Sequence, residues 1–353
     1  MKNASNMILS QQSTPLASKK VVDNQTVDFD IASGKVIKEI VVTLTGKISP
    51  VFAGAAPLVH KRGIADALIR SLNITDGIQV RKSFAGVDVL RRETKMLSTS
   101  SAPALYKLNS SSLGDSPSVG YVSDFGTSGQ DIAFAETFSI IFENKHSSEW
   151  ARTLMNTVNK NNAKIQFVFN EIGSLRDASD ATAFTSIGHD IDINIDILES
   201  PALVNMPIIE SWKQSNNVIN IHGQQSQQPY RLPSGNRVQG FWITAYLGSA
   251  NRRVTLDEAK LIKLAVRLNG NMQIKEFTLF SLMMQNLNKT LMQEIQPGSA
   301  YCNFLNNSTF DSALNTATSA GVQNYDLIVT TPASFSYSSP LKLIIEQNEI
   351  EYI

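Results

Sequence analysis

Alternating apolar and polar residues along most of the chain predict β-strands. The clearest case is 191–198 (IDINIDIL), where four isoleucines alternate with Asp and Asn, as in a strand with one buried and one solvated face. Apolar residues at helical spacing predict only two short helices, over 87–97 and 280–291. Runs of β-branched and aromatic residues predict further strands at 36–45, 132–142, 163–169, 325–331 and 341–347.

An internal repeat gives the most information about the fold. The turn Ser33-Gly34 and the strand-like run after it match Ser234-Gly235 and its following run at an offset of 201 residues (234 minus 33). The segment 68–81 matches 262–275 at an offset of 193–194, and each contains a turn of a polar residue followed by glycine. Both copies continue into a predicted short helix and a long loop. Four elements therefore recur in the same order.

The repeat predicts two similar domains. We expect an N-terminal arm over 1–26, a first jelly roll over 27–205, an Asn/Gln/Ser-rich linker over 206–228, and a second jelly roll over 229–353. The arm is polar, so we expect it to become ordered only against a partner. Many short strands with few helices favour an all-β fold, here two tandem jelly-roll β-barrels with short helices and the long loops 98–130 and 293–324.

The repeated order is strand, hairpin, short helix and long loop, and it is carried by Ile37–Thr45, Leu68–Arg81 and Val87–Leu97 and again by Val238–Tyr246, Ile262–Lys275 and Phe280–Leu291. This layout resembles the double jelly-roll major capsid proteins of tailless icosahedral viruses, a lineage that includes the internal-membrane phages of the tectivirus and corticovirus type. The resemblance implies pseudo-hexagonal homotrimers that form an icosahedral virion shell, around an internal membrane. It also implies vertex and minor capsid proteins as partners, and synthesis in the host cytoplasm.

Composition agrees with self-assembly and argues against nucleic acid as a direct partner. The 353 residues include 31 Lys+Arg and 31 Asp+Glu, so the net charge is +0 and no basic surface is expected. Only 18% of residues are charged, and the absence of net repulsion suits dense packing of copies. The sequence shows no apolar run of the length that a signal peptide or a membrane span requires, so a soluble protein is expected.

The sequence contains no recognisable catalytic or cofactor motif, so we predict that the protein is not an enzyme and binds no cofactor. A bicupin enzyme would need paired histidines as metal ligands, and the sequence has no His-x-His pair. The single cysteine, Cys302, falls in a segment predicted as a loop, and we expect it to be an inert thiol. The four isolated histidines are His60, His146, His189 and His222.

Two weaker candidate sites involve charged residues. Asp190, Asp192 and Asp196 share one face of a predicted strand and are candidate Ca²⁺ ligands, although a solvated strand face is the expected interpretation. In the arm, Lys2, Lys19 and Lys20 are expected to attract anionic lipid head groups and to take part in assembly.

A carbohydrate-binding function is the alternative, as a receptor-binding viral spike or a tandem jelly-roll lectin, because jelly rolls also build such proteins. Aromatic residues in loops would be its expected sign. The candidates show no shared spacing, and they are Tyr106, Tyr121, Tyr301 and Phe304.

Overall fold

The chain folds into two compact units, one made by the described residues up to 201 and the other by those from 210. The computed structural model describes residues 12–58, 64–77, 79–87, 106–107, 118–119, 125–143, 153–176, 182–201, 210–248, 252–289, 298–305, 312–335 and 340–352.

The first unit contains twelve described strands in two sheets. In one sheet the order is β1-β12-β4-β9, with β2 also on β12, β10 also on β4, and β7 and β8 beyond β9. The other contains β3, β11, β5 and β6 in that order. Their bounds are β1 Gln12–Pro15, β2 Lys19–Lys20, β3 Thr26–Ile31, β4 Val36–Phe52, β5 Ile69–Thr75, β6 Val80–Phe84, β7 Tyr106–Lys107, β8 Ser118–Val119, β9 Ile132–Ile141, β10 Met155–Asn156, β11 Ala163–Phe169 and β12 Phe184–Glu199.

The second unit repeats this arrangement. One sheet has the order β13-β22-β15-β19, with β16 and β20 also paired to β15, and the other has the order β14-β21-β17-β18. Their bounds are β13 Glu210–Ile221, β14 Gln225–Arg231, β15 Arg237–Leu247, β16 Arg252–Arg253, β17 Lys263–Leu268, β18 Met272–Thr278, β19 Ser299–Asn303, β20 Leu314–Asn315, β21 Tyr325–Thr331 and β22 Leu341–Tyr352. Each unit is therefore a jelly roll of two facing antiparallel sheets.

The two jelly rolls match down to their irregularities. In the first, Glu39 and Ile37 of β4 pair with two consecutive residues at the end of β12, Leu198 and Glu199. Lys38 therefore has no partner residue on β12, which makes it a β-bulge. In the second, β15 skips Gln239 in the same way, 201 residues later. A shared bulge at the same place shows that the repeat extends to backbone register.

The hairpins β5–β6 and β17–β18 confirm the second repeated block and refine its alignment. Leu72 pairs with Phe84 in the first hairpin, and Leu264 pairs with Phe277 in the second. Their β5 and β17 members also occupy equivalent places beside β11 and β21. The structural offset is therefore 192 for β5 and 193 for β6, so the predicted offset of 193–194 is about one residue too large.

Helices precede or follow these hairpins. The predicted helix at 280–291 is confirmed as Leu279–Lys289, whereas the predicted helix at 87–97 lies outside the described residues except for Val87. Two short helices that the sequence did not predict, Ile64–Leu68 and Leu256–Leu261, precede β5 and β17 at equivalent positions. Single 3₁₀ turns occur at Ile172–Leu175 and Thr318–Ala320.

The structure corrects the predicted arm and linker. Within 1–26, residues 12–15 and 19–20 pair with β12 of the same chain, so this part is the first strand of the first jelly roll. Within 206–228, residues 210–221 pair with β22 and form the first strand of the second. The segment 12–15 lacks apolar alternation because it is an edge strand that backbone pairing holds. The segment 210–221 is mostly polar, but Ile219 and Ile221 near its end also pack into the core of the second jelly roll.

The hydrophobic cores agree with the sequence pattern. Ile191, Ile193 and Ile197 of β12 are buried, while the aspartates between them are at least partly exposed, which confirms the predicted two-faced strand. The predicted loop 293–324 is wrong in part, because Ser299–Asn303 forms β19 against β15. Ala300 and Cys302 of β19 point into the core of the second jelly roll, which is why this short run forms a strand.

Candidate assembly site

A buried carboxylate in each jelly roll fastens its first strand. In the first, Thr14 Oγ1 donates a 2.6 Å hydrogen bond to Glu199 Oε1, and Lys35 Nζ lies 2.6 Å from the same oxygen. Glu199 is only 6% exposed, so this carboxylate is neutralised and hydrogen-bonded almost out of solvent. The strand β1, the strand β12 and the turn before β4 therefore meet at one residue.

The second jelly roll contains an equivalent arrangement, in which Ser215 and Asn236, two uncharged side chains, donate to the carboxylate of Glu349. We call each of these two arrangements a clamp. Ser215 Oγ donates a 2.8 Å hydrogen bond to Glu349 Oε1, and Asn236 Nδ2 donates a 2.7 Å bond to Glu349 Oε2. Ser215 and Asn236 stand 201 residues after Thr14 and Lys35. Gln347 Nε2 donates a third hydrogen bond to Glu349, at 2.8 Å. Asn236 therefore stands where the first jelly roll has the Lys35 ammonium group.

A threonine closes the Ser-Gly turn beside each clamp. In the first jelly roll, Gly34 N donates to Thr157 O at 3.1 Å, and Thr157 N donates to Lys35 O at 2.8 Å. In the second, Gly235 N donates to Thr316 O at 3.2 Å, and Thr316 N donates to the oxygen of Asn236 at 3.0 Å. The turn needs glycine because φ is positive at both positions.

These clamp residues were not identified from the sequence, although a signal for them exists. The offset of 201 continues back from the Ser-Gly turn to Thr14 and Ser215, two hydroxyl residues. The dipeptide Asn-Thr also recurs at 156–157 and 315–316, and in both copies the Asn side chain accepts a hydrogen bond from the backbone N–H two residues later. Each signal is too short to be recognised before the pairing is known.

In the first jelly roll, lysines and aspartates alternate across the neighbouring strands β2, β12 and β4 and end at Asp131, the residue before β9. Lys20 of β2 pairs with Asp190 and Asp192 of β12 at 2.6 and 2.9 Å. Lys47 of β4 pairs with Asp131, just before β9, at 2.8 Å. The hydrogen bond from Lys20, and then its charge, lowers the pKa of the Asp190 carboxyl below its ordinary value. All of these groups are solvent-exposed, so each pair contributes modestly to stability.

Two of the three candidate Ca²⁺ ligands are thus occupied by an ammonium group. Asp190 and Asp192 share Lys20, while Asp196 lies four residues further along β12, about 13 Å away at strand spacing. Within the described ranges, no group of three or more His, Cys, Asp and Glu side chains could hold a metal ion. Asp190 and Asp192 therefore form ion pairs between β12 and β2.

The arm lysines are engaged within the chain, as far as the structure describes them. Lys20 forms the ion pairs above, and Lys19 Nζ donates to the Asp28 carbonyl and lies 5.1 Å from the centre of the Phe29 ring. Lys2 lies outside the described residues. The next segment is also fastened, because Asp23 Oδ1 lies 3.1 Å from His189 Nε2 and accepts a hydrogen bond from Ile172 N at 2.9 Å.

Three of the remaining candidate residues, Cys302, Tyr301 and Phe304, are buried in the second jelly roll. Cys302 is buried, and desolvation raises the pKa of its thiol to about 12, so the thiolate nucleophile is suppressed. Tyr301 and Phe304, considered for carbohydrate stacking, are buried at 3% and 6% exposure, with the Tyr301 ring packed 5.0 Å from that of Trp242. Three further candidates fall in ranges that are not described, and they are His60, His146 and Tyr121.

Comparison with known proteins gives a fold but no close relative. No protein-family model matches the chain, and no curated protein matches its sequence. In the described part of the chain, no helix has both the length and the apolar character needed to cross a membrane.

Solved structures match over almost the whole length. The crystal structure of the major capsid protein of Sulfolobus turreted icosahedral virus superposes with a TM-score of 0.66 at 11% identity, over 97% of both chains. The major capsid protein P2 of bacteriophage PM2 gives 0.58 at 9% identity, over 97% of this chain and 98% of that one. The Faustovirus major capsid protein gives 0.58 at 9%, over 97% and 90%. The chain therefore has the double jelly-roll fold of viral major capsid proteins, as its sequence layout implies.

Proposed function

We propose that this protein is the major capsid protein of a tailless icosahedral virus and has a structural, non-catalytic role. The observation that carries the proposal is the matched pair of jelly rolls, which extends over nearly the full length of solved major capsid proteins. A duplicated jelly roll suits a shell because three copies present six similar units, which can fill a near-hexagonal outline with a single kind of chain. We therefore propose a homotrimer as the building block.

The internal membrane and the vertex and minor proteins belong to the same proposal, as does synthesis in the host cytoplasm before incorporation into the virion. They rest on the resemblance to the internal-membrane phages. Among the proposed lipid contacts, Lys19 and Lys20 already have partners within the chain. Any contact of the N-terminal segment with head groups is therefore proposed for the part that contains Lys2. Balanced charge supports a shell that does not touch nucleic acid directly.

The carbohydrate-binding alternative gains no support from the described aromatic residues. Tyr301 and Phe304 are buried in the second jelly roll and cannot stack on a sugar without unfolding. A glycan-binding monomer would be the expected form of a lectin, so oligomer mass separates the two functions.

Light scattering on the purified protein tests the proposal. We expect a particle of three times 38.7 kDa at micromolar concentration, and closed shells or hexagonal arrays by electron microscopy at higher concentration. A stable monomer that forms neither, and that binds glycans on an array, would contradict it.

A further inference from the structure

The core of the second jelly roll contains two polar side chains close to its clamp. Tyr325 of β21 and Gln347 of β22 are 0% and 1% exposed, and they belong to the two facing sheets. Gln347 lies two residues after the core residue Ile345, so it is on the core face of β22.

Tyr325 and Gln347 both contact the short segment that follows β14. Leu232 N donates a 2.9 Å hydrogen bond to the carbonyl of Tyr325. Gln347 Nε2 donates a 2.9 Å bond to the carbonyl of the next residue, Pro233. The two polar residues therefore lie in the same region of the core.

The first jelly roll has apolar residues at the equivalent positions. The pairing of β21 with β17 and of β11 with β5 makes Ala163 the counterpart of Tyr325. The pairing of β22 with β15 and of β12 with β4 makes Ile197 the counterpart of Gln347. Both counterparts are fully buried. Two facing positions of one scaffold are thus apolar together in one core and polar together in the other.

Each of the two polar residues has one buried atom without a hydrogen-bond partner among the described residues. These atoms are the Tyr325 hydroxyl oxygen and Gln347 Oε1. The amide nitrogen of Gln347 already donates to Pro233 O and to Glu349 Oε1, so its oxygen is an acceptor that lacks a donor. The Tyr325 hydroxyl is a donor that lacks an acceptor. Buried polar groups in native proteins are rarely left in this state.

A third polar group lies near the Tyr325 hydroxyl. Burial, and then the neighbouring Cys302 and Glu349, raise the pKa of this hydroxyl well above its ordinary value. Both neighbours belong to the sheet that faces β21, so the hydroxyl is directed across the core. The Glu349 carboxylate accepts three hydrogen bonds, and a carboxylate can accept about four.

The residue opposite the tyrosine ring is small. Cys302 pairs with Phe241, as Ile140 pairs with Ile40 in the first jelly roll. A cysteine therefore stands where the first core has a larger isoleucine, at the place towards which the Tyr325 hydroxyl is directed.

We propose that the core of the second jelly roll binds one ordered water molecule, which accepts a hydrogen bond from the Tyr325 hydroxyl and donates one to Gln347 Oε1. The Glu349 carboxylate is the acceptor for its second hydrogen. Buried waters typically make about three hydrogen bonds to groups that are otherwise unsatisfied. The inference is independent of the proposed function, because no contact with another copy enters it.

A crystal structure of the wild-type protein tests the site directly. We expect a water peak at about 2.5–3.0 Å from both the Tyr325 hydroxyl oxygen and Gln347 Oε1. A Tyr325 hydroxyl that bonds directly to Gln347 with no peak between them overturns the proposal. A peak at the shorter distances of a metal ion overturns it as well.

The substitution Tyr325→Phe tests the same site in solution, because it removes the hydroxyl and keeps the ring. We expect the unfolding equilibrium constant in urea to rise about five-fold, since a hydrogen bond to the water is lost. The matched control is Tyr230→Phe, at a partly buried tyrosine of β14, which should change the constant less than about two-fold. A Tyr325→Phe variant as stable as wild type, or more stable, overturns the proposal, because removing a hydroxyl that has no partner costs nothing.

A double-mutant cycle tests whether the two residues act through one bridge. Gln347→Met keeps the length of the side chain and removes Oε1, together with the bonds of Nε2. Either single substitution breaks the bridge, so we expect the double variant to lose less stability than the sum of the two single losses. Additive losses overturn the proposal.

Discussion

Thr157 and Thr316 occupy the same position in the two jelly rolls, and each exchanges a pair of backbone hydrogen bonds with the Ser-Gly turn of its own unit. Their hydroxyl groups also take part. Thr157 Oγ1 donates towards the carbonyls of Ala32 and Lys35, at 3.0 and 3.3 Å, and Thr316 Oγ1 donates to Asn236 O at 2.7 Å. Since the two residues are almost fully buried, the hydrogen bonds of each threonine satisfy backbone groups of the turn that water would otherwise satisfy.

Replacing either threonine with valine should destabilise its own jelly roll by about 1–2 kcal/mol, because the turn loses the hydrogen bonds that the buried hydroxyl group makes to its backbone, while the side-chain volume stays nearly the same. Urea unfolding of Thr157→Val and Thr316→Val measures the loss of stability in each variant. Thr330→Val, at a partly exposed threonine of β21, is the control and should cost much less. An unchanged midpoint in both buried variants would show that the hydroxyl bonds contribute nothing.

Removing the carboxylate of Glu199 should lower the unfolding free energy by more than removing an exposed carboxylate does. Glu199→Ala leaves the Lys35 ammonium and the Thr14 hydroxyl without their acceptor in a mostly buried place, for a loss of about 2–3 kcal/mol. Asp257→Ala, which breaks the exposed pair with Lys260, should change the unfolding free energy by less than about 0.5 kcal/mol. Equal losses in the two variants would contradict the clamp.

The length of an N-terminal deletion should decide its effect. Removal of residues 1–11 leaves every described contact in place, so the unfolding midpoint should not change. Removal of residues 1–20 also deletes β1 and β2 and leaves the edge of β12 unpaired, so stability should fall and aggregation should rise. Thermal unfolding and light scattering of both deletions make the comparison. Identical behaviour would show that the first strand is dispensable.

The Lys20 pairs should make stability depend on pH in the acidic range. The pKa of Asp190 is lowered in the folded state from 3.8, first by its hydrogen bond from Lys20 and then by charge attraction. The resulting stabilisation is present above the unfolded value and is lost as the pH falls through the lower folded value. Lys20→Gln should therefore unfold more readily than wild type at pH 6, and the difference should shrink below about pH 3.8.

Added salt provides the control for this pair. At 1 M NaCl and pH 6 the difference in stability between Lys20→Gln and wild type should be smaller than at low salt, because salt screens exposed charges. A difference that is independent of both pH and salt would show that Lys20 acts through packing alone.

Cys302 should react with thiol reagents only after unfolding. Burial raises the pKa of its thiol to about 12, so almost no thiolate exists at neutral pH and the reagent has no access. Ellman's reagent added to native protein at pH 8 should give no colour over an hour, and one equivalent in 6 M guanidinium. Rapid reaction of the native protein would contradict the position of Cys302 in the core.

The two-faced strands could be predicted from particular residues. The isoleucines of β12 alternate with polar residues because one side of that strand faces the core, and the observed burial follows the pattern. Phe280 and Met283 likewise predict the helix that forms over Leu279–Lys289. Local periodicity is a reliable guide where burial is one-sided, since the core face alone selects the apolar positions.

The first strands and the clamps could not be predicted in the same way. Gln12–Pro15 is polar, and it is a strand because β12 offers it a free edge of backbone donors and acceptors. Glu210–Ile221 is mostly polar and pairs with β22 along its whole length, with Ile219 and Ile221 near its end packed into the core. Glu199 is far along the chain from Thr14 and Lys35, at a sequence separation of 164 from Lys35. Their meeting is a property of the strand pairing.

By itself, the sequence of this protein determined the duplication, the all-β fold class and the core faces, because each leaves a short-range or constant-offset trace along the chain. Tertiary structure decided where each jelly roll begins, which charges are paired, and which distant residues meet at the clamps. Those features depend on partners distant in sequence, and a polar residue at an edge has the same local pattern whether it is solvated, clamped or covered.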